Sequence, residues 1–427
     1  MAVQRAMNES ARDLDEAVLA PMGGGGDRLR IAICTDTFVP QLNGVARTLF
    51  RLCEALRDRG CAVRVFAPSD PSAPSLPNVR RYASVPFWGY PELRLALPGV
   101  SAMRKALTNW RANLVHAATP FGVGYAGRAA ARLLGIPFVT SYHTSLAAYA
   151  RFYGLGALSR PGWHYLRWFH NGGARTFVPT RAIRDELAER GFERLAIWGR
   201  GVDAANFHPR WRSVELRREL GASEDTVLVG YVGRLAIEKG VDTLVDAMRL
   251  VRSAAPSVRF ALAGDGPAAD RCRARAPHDV TFLGRIEGAR LSAFYASCDV
   301  LVFPSHTDTF GNVLLEAMAS RLAIIAADTP ATREVLDGNA GVTFPPDDAP
   351  VLAARILALA STPLQRHALA QSALAAARRR SWDDVFDELL AAYESVRDSH
   401  RASEWSEKAR RRGKASRFAQ PAPIPSD

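Results

Sequence analysis

Two runs of alternating strand and helix patterns, separated by a pause near residue 205, constrain this chain more than any other feature. Arg30 to Thr35 is a short apolar run rich in strand formers. Behind it Val45, Leu49, Leu52, Ala55 and Leu56 recur at helical spacing, and Gly60 ends them. Val63 to Phe66 reads as a second strand. A strand–helix–strand unit of about 35 residues is the building block of a parallel sheet. The alternation continues with strands at Leu114 to Ala117, Phe138 to Ser141 and Thr176 to Pro179. A helix spans Gly124 to Leu134, and Thr180 caps another that Gly191 closes. From Gly201 to Pro209 the alternation pauses. It restarts with strands at 226–232, 258–263, 280–283, 299–303 and 322–326, and helices at 240–254, 287–297 and 311–320.

Two such series predict an α/β chain of two doubly wound Rossmann-like domains, 28–205 and 206–380. Ligands of such sheets bind beyond the carboxyl ends of the strands, so the expected site is the cleft between the domains. From about 349 the chain is Ala-rich and helical, and Trp382 opens a last helix, placed at 381–400. Residues 1–27 end in four glycines and read as a flexible segment. Residues 401–427 lack an apolar period and read as a basic disordered tail.

Hydrophobic residues make up 48% and charged residues 23%, the balance of a globular protein. No apolar run reaches the roughly 18 residues of a membrane-spanning helix. The first 26 residues lack the apolar core of a secretory signal, so a cytoplasmic protein is expected. Cys34, Cys53, Cys61, Cys272 and Cys298 show no CxxC spacing, and no histidine pair stands at ligand spacing. Neither a structural metal nor a disulfide framework is expected. The net charge is +12. Arg401 to Asp427 contributes +4, from seven basic and three acidic residues, and the other +8 is read as spread over the rest of the chain. No nucleic-acid-reading motif appears, so nucleic acid is not an expected partner. Attraction to anionic lipid or to phosphorylated substrates accounts for the charge equally well.

Four loops stand where such sheets bind ligands. Asp36 to Val45 is not a GxGxxG fingerprint, which argues against a nicotinamide enzyme. Its Gly44 opens a helix and would let a phosphate or sugar approach bare N–H groups, although alone it reads as well as a turn glycine. Gly233 to Gly240 carries Arg234 and Lys239, two cations suited to a departing pyrophosphate. Gly264, in Ala263-Gly264-Asp265-Gly266-Pro267, marks a tight turn at the same sheet edge. The strongest element is Asp308 to Ala319. Phe310, Gly311, Asn312 and Val313 open a helix whose N–H groups suit an anion. Asp308 and Glu316 are two carboxylates spaced to hold hydroxyls at opposite ends of a long ligand. Glu316 lies among Leu314, Leu315 and Met318, so it needs a partner or a ligand. His143 follows the strand PFVTSYH and faces the same cleft.

Together these residues resemble family 4 retaining glycosyltransferases of the GT-B fold, from about Arg30 to about Trp382. The blocks are DTFVPQLNGVARTL, YPELRLALP, SYHT, WGRGVD, GRLAIEKG, LAGDGP, FLG and TDTFGNVLLEAMAS. Among these enzymes the sequence is most similar to GDP-mannose-dependent α-mannosyltransferases and sulfoquinovosyl-lipid synthases. The resemblance implies two domains facing across a cleft, with the C-terminal helix returning to the first. It places Asp308 on the donor sugar, Glu316 on the ribose, and Arg234 and Lys239 on the diphosphate. Gly44 matches the glycine beside the donor phosphate and His143 the histidine beside the transferred sugar. Phe310, Gly311 and Asn312 would supply helix-start contacts. Asp308 departs from the usual glutamate by one methylene, and Arg321 stands where a glycine commonly follows AMAS. The family is thought to use front-face attack, the departing phosphate taking the acceptor's proton. Two cations and a helix start can replace a metal, so no metal and no cofactor beyond the nucleotide-sugar donor is expected.

The first domain is expected to hold a glycan, lipid-linked or glycolipid acceptor, with Asn43, Tyr90, Tyr142 and His143 on that side. Pro86 to Tyr90 and Tyr149 to His170 are rich in aromatic and basic residues and read as a patch for anionic lipid headgroups, or as packing under a long loop. A UDP-sugar donor, a sugar-nucleotide epimerase of similar plan and a non-catalytic sugar-nucleotide-binding protein stand as alternatives.

Overall fold

The computed structural model describes residues 28–41, 43–87, 90–143, 159–337 and 339–418. The first domain runs β1 (Arg30–Cys34), α1 (Gly44–Asp58), β2 (Ala62–Pro68), β3 (Val79–Tyr82), β4 (Val85–Phe87), β5 (Tyr90–Leu95), α2 (Val100–Trp110) and β6 (Leu114–Ala117). It continues with α3 (Gly122–Leu134), β7 (Phe138–Ser141), α4 (Ser159–Asn171), β8 (Arg175–Val178), α5 (Arg181–Glu189) and β9 (Leu195–Ile197). Its sheet has the order β3-β2-β1-β6-β7-β8-β9, parallel throughout, and β4 and β5 form a separate antiparallel hairpin.

The second domain runs α6 (Val214–Glu219), β10 (Leu228–Val232), α7 (Val241–Ala254), β11 (Arg259–Ala263), α8 (Ala269–Arg275), β12 (Thr281–Gly284) and α9 (Gly288–Ser297). Then come β13 (Val300–Phe303), α10 (Asn312–Ala319), β14 (Ala323–Ala327), α11 (Pro330–Val335), β15 (Val342–Phe344), α12 (Ala349–Ser361), α13 (Pro363–Ala377) and α14 (Trp382–Phe418). The sheet order is β12-β11-β10-β13-β14-β15, all parallel. The order reverses at β10/β13 here and at β1/β6 in the first domain, and these are the points where doubly wound sheets open a crevice.

The short run RIAIC shows how sequence builds the layers. Side chains alternate across a strand, so Ile31 and Ile33 point to one face and Ala32 and Cys34 to the other. Ile31 and Ile33 pack with Leu49 and Leu52 of α1 and with Phe386, Leu389 and Tyr393 of α14. Ala32 and Cys34 pack with Met103 and Leu107 of α2 and with Val123 and Ala126 of α3. The small side chains admit α3 closely: a Cβ on Gly127 would lie 2.4 Å from Cys34 Sγ.

The last helix returns to the first domain as expected. Tyr393 bonds the buried His116 of β6, its hydroxyl 2.8 Å from Nδ1. Where the chain crosses between domains, Val202 N–H donates to Arg380 O at 3.0 Å and Val202 bridges Ser381. One expectation is corrected here. The sequence pattern predicts a disordered tail from 401, whereas α14 continues unbroken to Phe418. Ala, Arg, Lys and Glu dominate that stretch and no proline interrupts it before Pro421, so backbone propensity sustains a helix where no apolar stripe exists. Among the described residues no helix is long and apolar enough to cross a membrane.

Candidate active site

Helix α10 opens beyond the loop after β13. Gly311 stands at its start with φ +82°, and no side chain caps it. An uncapped helix start leaves N–H groups unsatisfied and carries roughly half a positive charge. The start of α1 faces it from the first domain: a Cβ on Gly44 would lie 3.6 Å from Asn312 Nδ2.

Lys239 ends the turn Ile237–Lys239 after β10 and donates from Nζ to Asp308 Oδ1 at 2.6 Å. Burial pushes the Asp308 carboxyl up, but the Lys239 ammonium and its hydrogen bond, with Ser305, outweigh this and hold it below the usual carboxylate range. The cation assigned to the diphosphate and the carboxylate assigned to the sugar are thus one ion pair. Arg234 rides on the same loop, which lies against the turn after β11. Leu235 N–H donates to Asp265 O at 3.0 Å, and Ala268 N–H to Leu235 O at 2.9 Å. These loops interlock so tightly that a Cβ on Gly264 would lie 1.8 Å from Gly233 O. Gly264 therefore contributes by letting the Arg234 loop settle on the sheet edge.

Glu316 is half-buried on α10, and its Oε2 accepts from the Tyr295 hydroxyl at 2.7 Å. Leu314, Leu315 and Met318 beside it are buried, as expected. Burial pushes the Glu316 carboxyl above its usual range, against the Tyr295 bond and the charges of Arg47 and Arg51 on α1. A carboxylate under that penalty gains from ligand hydroxyls that donate to it.

From the first domain, His143 follows β7. Arg200 Nη2 lies 3.1 Å from His143 Nδ1, and His143 Nε2 is buried with no hydrogen-bond partner among the described residues. Several contacts join the domains around this point. Thr309 Oγ1 donates to His143 O at 2.8 Å. Arg47 pairs with Glu287 at 3.6 Å. The N–H groups of Arg181 and Ala182 donate to the Glu334 carboxylate, each at 2.9 Å, so the second domain caps α5.

The structure thus brings Gly44, His143, Arg234, Lys239, Asp308, Gly311, Asn312, Val313 and Glu316 to the facing edges of two sheets. Other expectations change. Tyr142 is turned into the first domain's core, edge-on to His170 and Phe192, rather than toward an acceptor. Asn43 commits its side chain locally: Oδ1 accepts from Ala46 N–H at 2.8 Å and Nδ2 donates to Thr37 Oγ1 at 2.7 Å. Phe310 is core, so only its backbone faces a ligand. Tyr90 begins β5, but its side chain lies outside the described residues, as do residues 144–158 of the aromatic stretch. Within α4, Phe169 and His170 are buried, whereas Tyr165 and Trp168 are exposed. Sequence reasoning missed Arg200, Tyr295, Arg47 and Arg51. Arg200 lies within the WGRGVD block and Arg47 within DTFVPQLNGVARTL, although neither was singled out there; Tyr295 and Arg51 carried no local signal.

Two parallel sheets, a cleft between their carboxyl edges and a cationic, helix-lined donor side define a glycosyltransferase of the GT-B fold. Residues 42–206 match Glycosyltransferase Family 4, and residues 226–362 match Glycosyl transferases group 1. The GDP-mannose-dependent alpha-mannosyltransferase of Mycobacterium tuberculosis is 36% identical over 380 residues, covering 86% of this chain and 97% of that protein. The enzyme of the same name from Corynebacterium glutamicum is 33% identical over 309 residues, 70% of this chain and 72% of that protein. Among solved structures, the sucrose-phosphate synthase of Thermosynechococcus elongatus superposes with a TM-score of 0.71 at 20% identity, covering 87% of this chain and 100% of that one. HepE of Anabaena, in complex with UDP and glucose, gives 0.70 at 21% identity, covering 86% and 100%. The chain belongs to glycosyltransferase family 4.

Proposed function

We propose that this chain transfers mannose from GDP-mannose, with retention of configuration and without a metal, to a hydroxyl of a lipid-linked or glycolipid acceptor at the cytoplasmic face of a membrane. The observation that carries the donor is the 36% identity, over 86% of the chain, to an enzyme of that name. The geometry supports the roles. Glu316, half-buried on Tyr295, takes ribose hydroxyls. The α10 start, Arg234 and Lys239 take the diphosphate, and Asp308 and His143 flank the sugar. In the transfer the acceptor oxygen bonds to the anomeric carbon as the bond from that carbon to the phosphate oxygen breaks. The acceptor's proton passes to the departing phosphate. Negative charge grows on the diphosphate, and fixed cations with an uncapped helix start stabilise that charge without reorganising. Lys239 stays within reach of both the sugar and the phosphate because Asp308 holds it.

A donor panel tests this reading. GDP-mannose, UDP-glucose, UDP-galactose and UDP-N-acetylglucosamine are compared by thermal shift and by donor hydrolysis, with and without a chelator. GDP-mannose is expected to stabilise the protein most and to turn over undiminished in chelator. Turnover of a UDP-sugar instead replaces the donor. A rearranged nucleotide sugar formed from donor alone makes the chain an epimerase, and no turnover with any donor makes it a binding protein.

A further inference from the structure

From Leu93 to Arg184 the chain contains no Asp and no Glu, a run of 92 residues that would hold about nine at the chain's average density. The same run holds twelve Arg and Lys. The whole chain's net charge is +12, so everything outside this run, the basic tail included, sums to zero. The charge excess read from composition as spread over the chain is concentrated in one segment.

Three described helices of that segment, α2, α3 and α4, lie on one side of the first domain. Helices α2 and α3 cover one face of the sheet through a shared core, while α1 and α14 cover the other. Helix α4 joins the same side: Arg128 Nε on α3 donates to Phe169 O at 3.1 Å, and the Tyr165 hydroxyl bonds Pro120 O. Outward from this layer project Arg104, Lys105, Arg111, Arg132 and Arg160, all exposed, and none of the three helices carries an acid to neutralise them. The second domain treats its surface cations differently, pairing Arg252 with Asp279, Arg275 with Asp242 and Arg333 with Asp328. Between the cations lies apolar surface. Trp168 stacks over Arg128, 3.7 Å from the guanidinium carbon to the ring centre, and Tyr125 and Tyr165 adjoin it. Leu97 and Leu133 are 85% and 66% exposed. The upper edge of the layer borders the cleft, because Asp36 Oδ1 in the loop before α1 accepts from Val123 N–H at 2.7 Å. The lower edge meets α14, where His400 Nε2 bonds Gly135 O at 2.7 Å, so the basic continuation of that helix starts beside it.

We propose that the α2–α3–α4 layer is a docking face for an anionic lipid bilayer. The proposal rests on the reading of a lipid-borne acceptor only for its purpose; its evidence is the charge and the exposed side chains. Cations near an anionic leaflet are attracted to headgroup phosphates, and Trp and Tyr settle at headgroup level. Exposed Leu97 and Leu133 favour a bilayer over a nucleic acid, which offers no apolar layer to receive them.

Co-sedimentation with vesicles, without nucleotide sugar, tests the face apart from the donor reading. Vesicles of phosphatidylcholine alone are compared with vesicles containing phosphatidylglycerol, at low and high salt. The full chain is expected to bind only the latter, and less at high salt. Arg104→Glu, Lys105→Glu and Arg132→Glu combined are expected to weaken binding by at least about a hundredfold, at roughly fivefold for each cation lost before the added negative charge is counted. Leu97→Ser with Leu133→Ser is expected to lower the binding that survives high salt. Donor hydrolysis in solution, read on the same variants, is expected to match the parent. Equal binding to both vesicle types, binding to neither, or parental binding by the charge-reversed variant overturns the proposal. So does a duplex or single-stranded oligonucleotide that binds this face more tightly than the anionic vesicles.

Discussion

Arg200 presents Nη2 to Nδ1 of His143 at 3.1 Å, and this contact settles where the imidazole keeps its proton. A guanidinium has donors only, so Nδ1 accepts and the neutral ring carries its hydrogen on Nε2. Burial, followed by the positive charge of Arg200, holds the ring's pKa well below its ordinary value. His143 therefore meets a ligand as a donor from Nε2, not as a base. Arg200 is itself held by the carbonyls of Trp198 and Gly199, at 2.7 and 2.9 Å. Arg200→Met is expected to lower kcat by about 10²-fold through misplacement of the ring, with a smaller change in the donor's KM. Nitrogen chemical shifts of His143 give the second readout: one tautomer in the parent, a mixture in Arg200→Met, and recovery in Arg200→Lys. A parental rate and a parental tautomer in Arg200→Met would remove Arg200 from this role.

The sites that were legible in the sequence share a position. Arg234, Lys239, Gly264, Asp308 and His143 all follow buried strands, and strand patterns are local. Arg200, Tyr295 and Arg47 were not read out because a linker and two helix faces bring them in, and tertiary packing alone sets their partners, His143 and Glu316 within a domain and Glu287 across the cleft. The fold follows the same division. The runs around β1, β10 and β13 were plain, whereas the β4–β5 hairpin and α2 were not, since Pro86, Pro91 and Pro98 break any regular period there. Tyr142 and Asn43 looked like cleft residues by position, but a ring that finds a core and an amide that caps a helix are satisfied without a ligand.

The donor grip predicts a graded series. Glu316→Ala is expected to abolish transfer, and Arg234→Ala or Lys239→Ala to cost on the order of 10²-fold in kcat/KM. Tyr295→Phe keeps the carboxylate but removes its hydrogen bond, which is expected to weaken donor binding by about 1 kcal/mol. Because Lys239 and Asp308 form one pair, their double variant is expected to fall short of the summed single effects. Calorimetric donor titration and steady-state rates check each step; near-parental rates in the three alanine variants would remove this site.

Arg321 closes α10 at φ +64°, in the left-handed region. Its N–H donates to Met318 O and that of Leu322 to Ala317 O, both at 3.1 Å, the paired bonds of a Schellman turn. A residue with a Cβ is strained in that conformation, so the departure from glycine costs stability and leaves the cleft unchanged. Arg321→Gly is expected to stabilise the protein by about 1 kcal/mol with an unaltered rate. A lower melting temperature would show that the arginine side chain contributes more than its backbone strain.

Acid should destabilise the protein before any exposed carboxylate titrates. His116 lies buried between Tyr393 and Ser141, and His170 bonds Thr140 Oγ1 at 2.8 Å. Burial pushes both rings from 6.5 down to about 3. The native rings stay neutral while the unfolded ones take up protons below about 6.5, so the stability they contribute is present above that pH and lost as pH falls toward 3. Asp36 acts in the opposite sense, because burial raises its carboxyl to about 6 and the native state keeps that proton longer than the unfolded chain does. It offsets one ring between about pH 4 and 6, and the raised Glu316 carboxyl acts with it, while His143, also held down by burial, acts with the other rings. The unfolding free energy from urea titration is expected to fall between pH 7 and 5, by at most about 1.4 kcal/mol per pH unit for each uncompensated ring, and the urea midpoint with it. His170→Asn should flatten that slope relative to the parent. A midpoint constant from pH 7 to 5 in the parent would mean that these rings take up protons without unfolding.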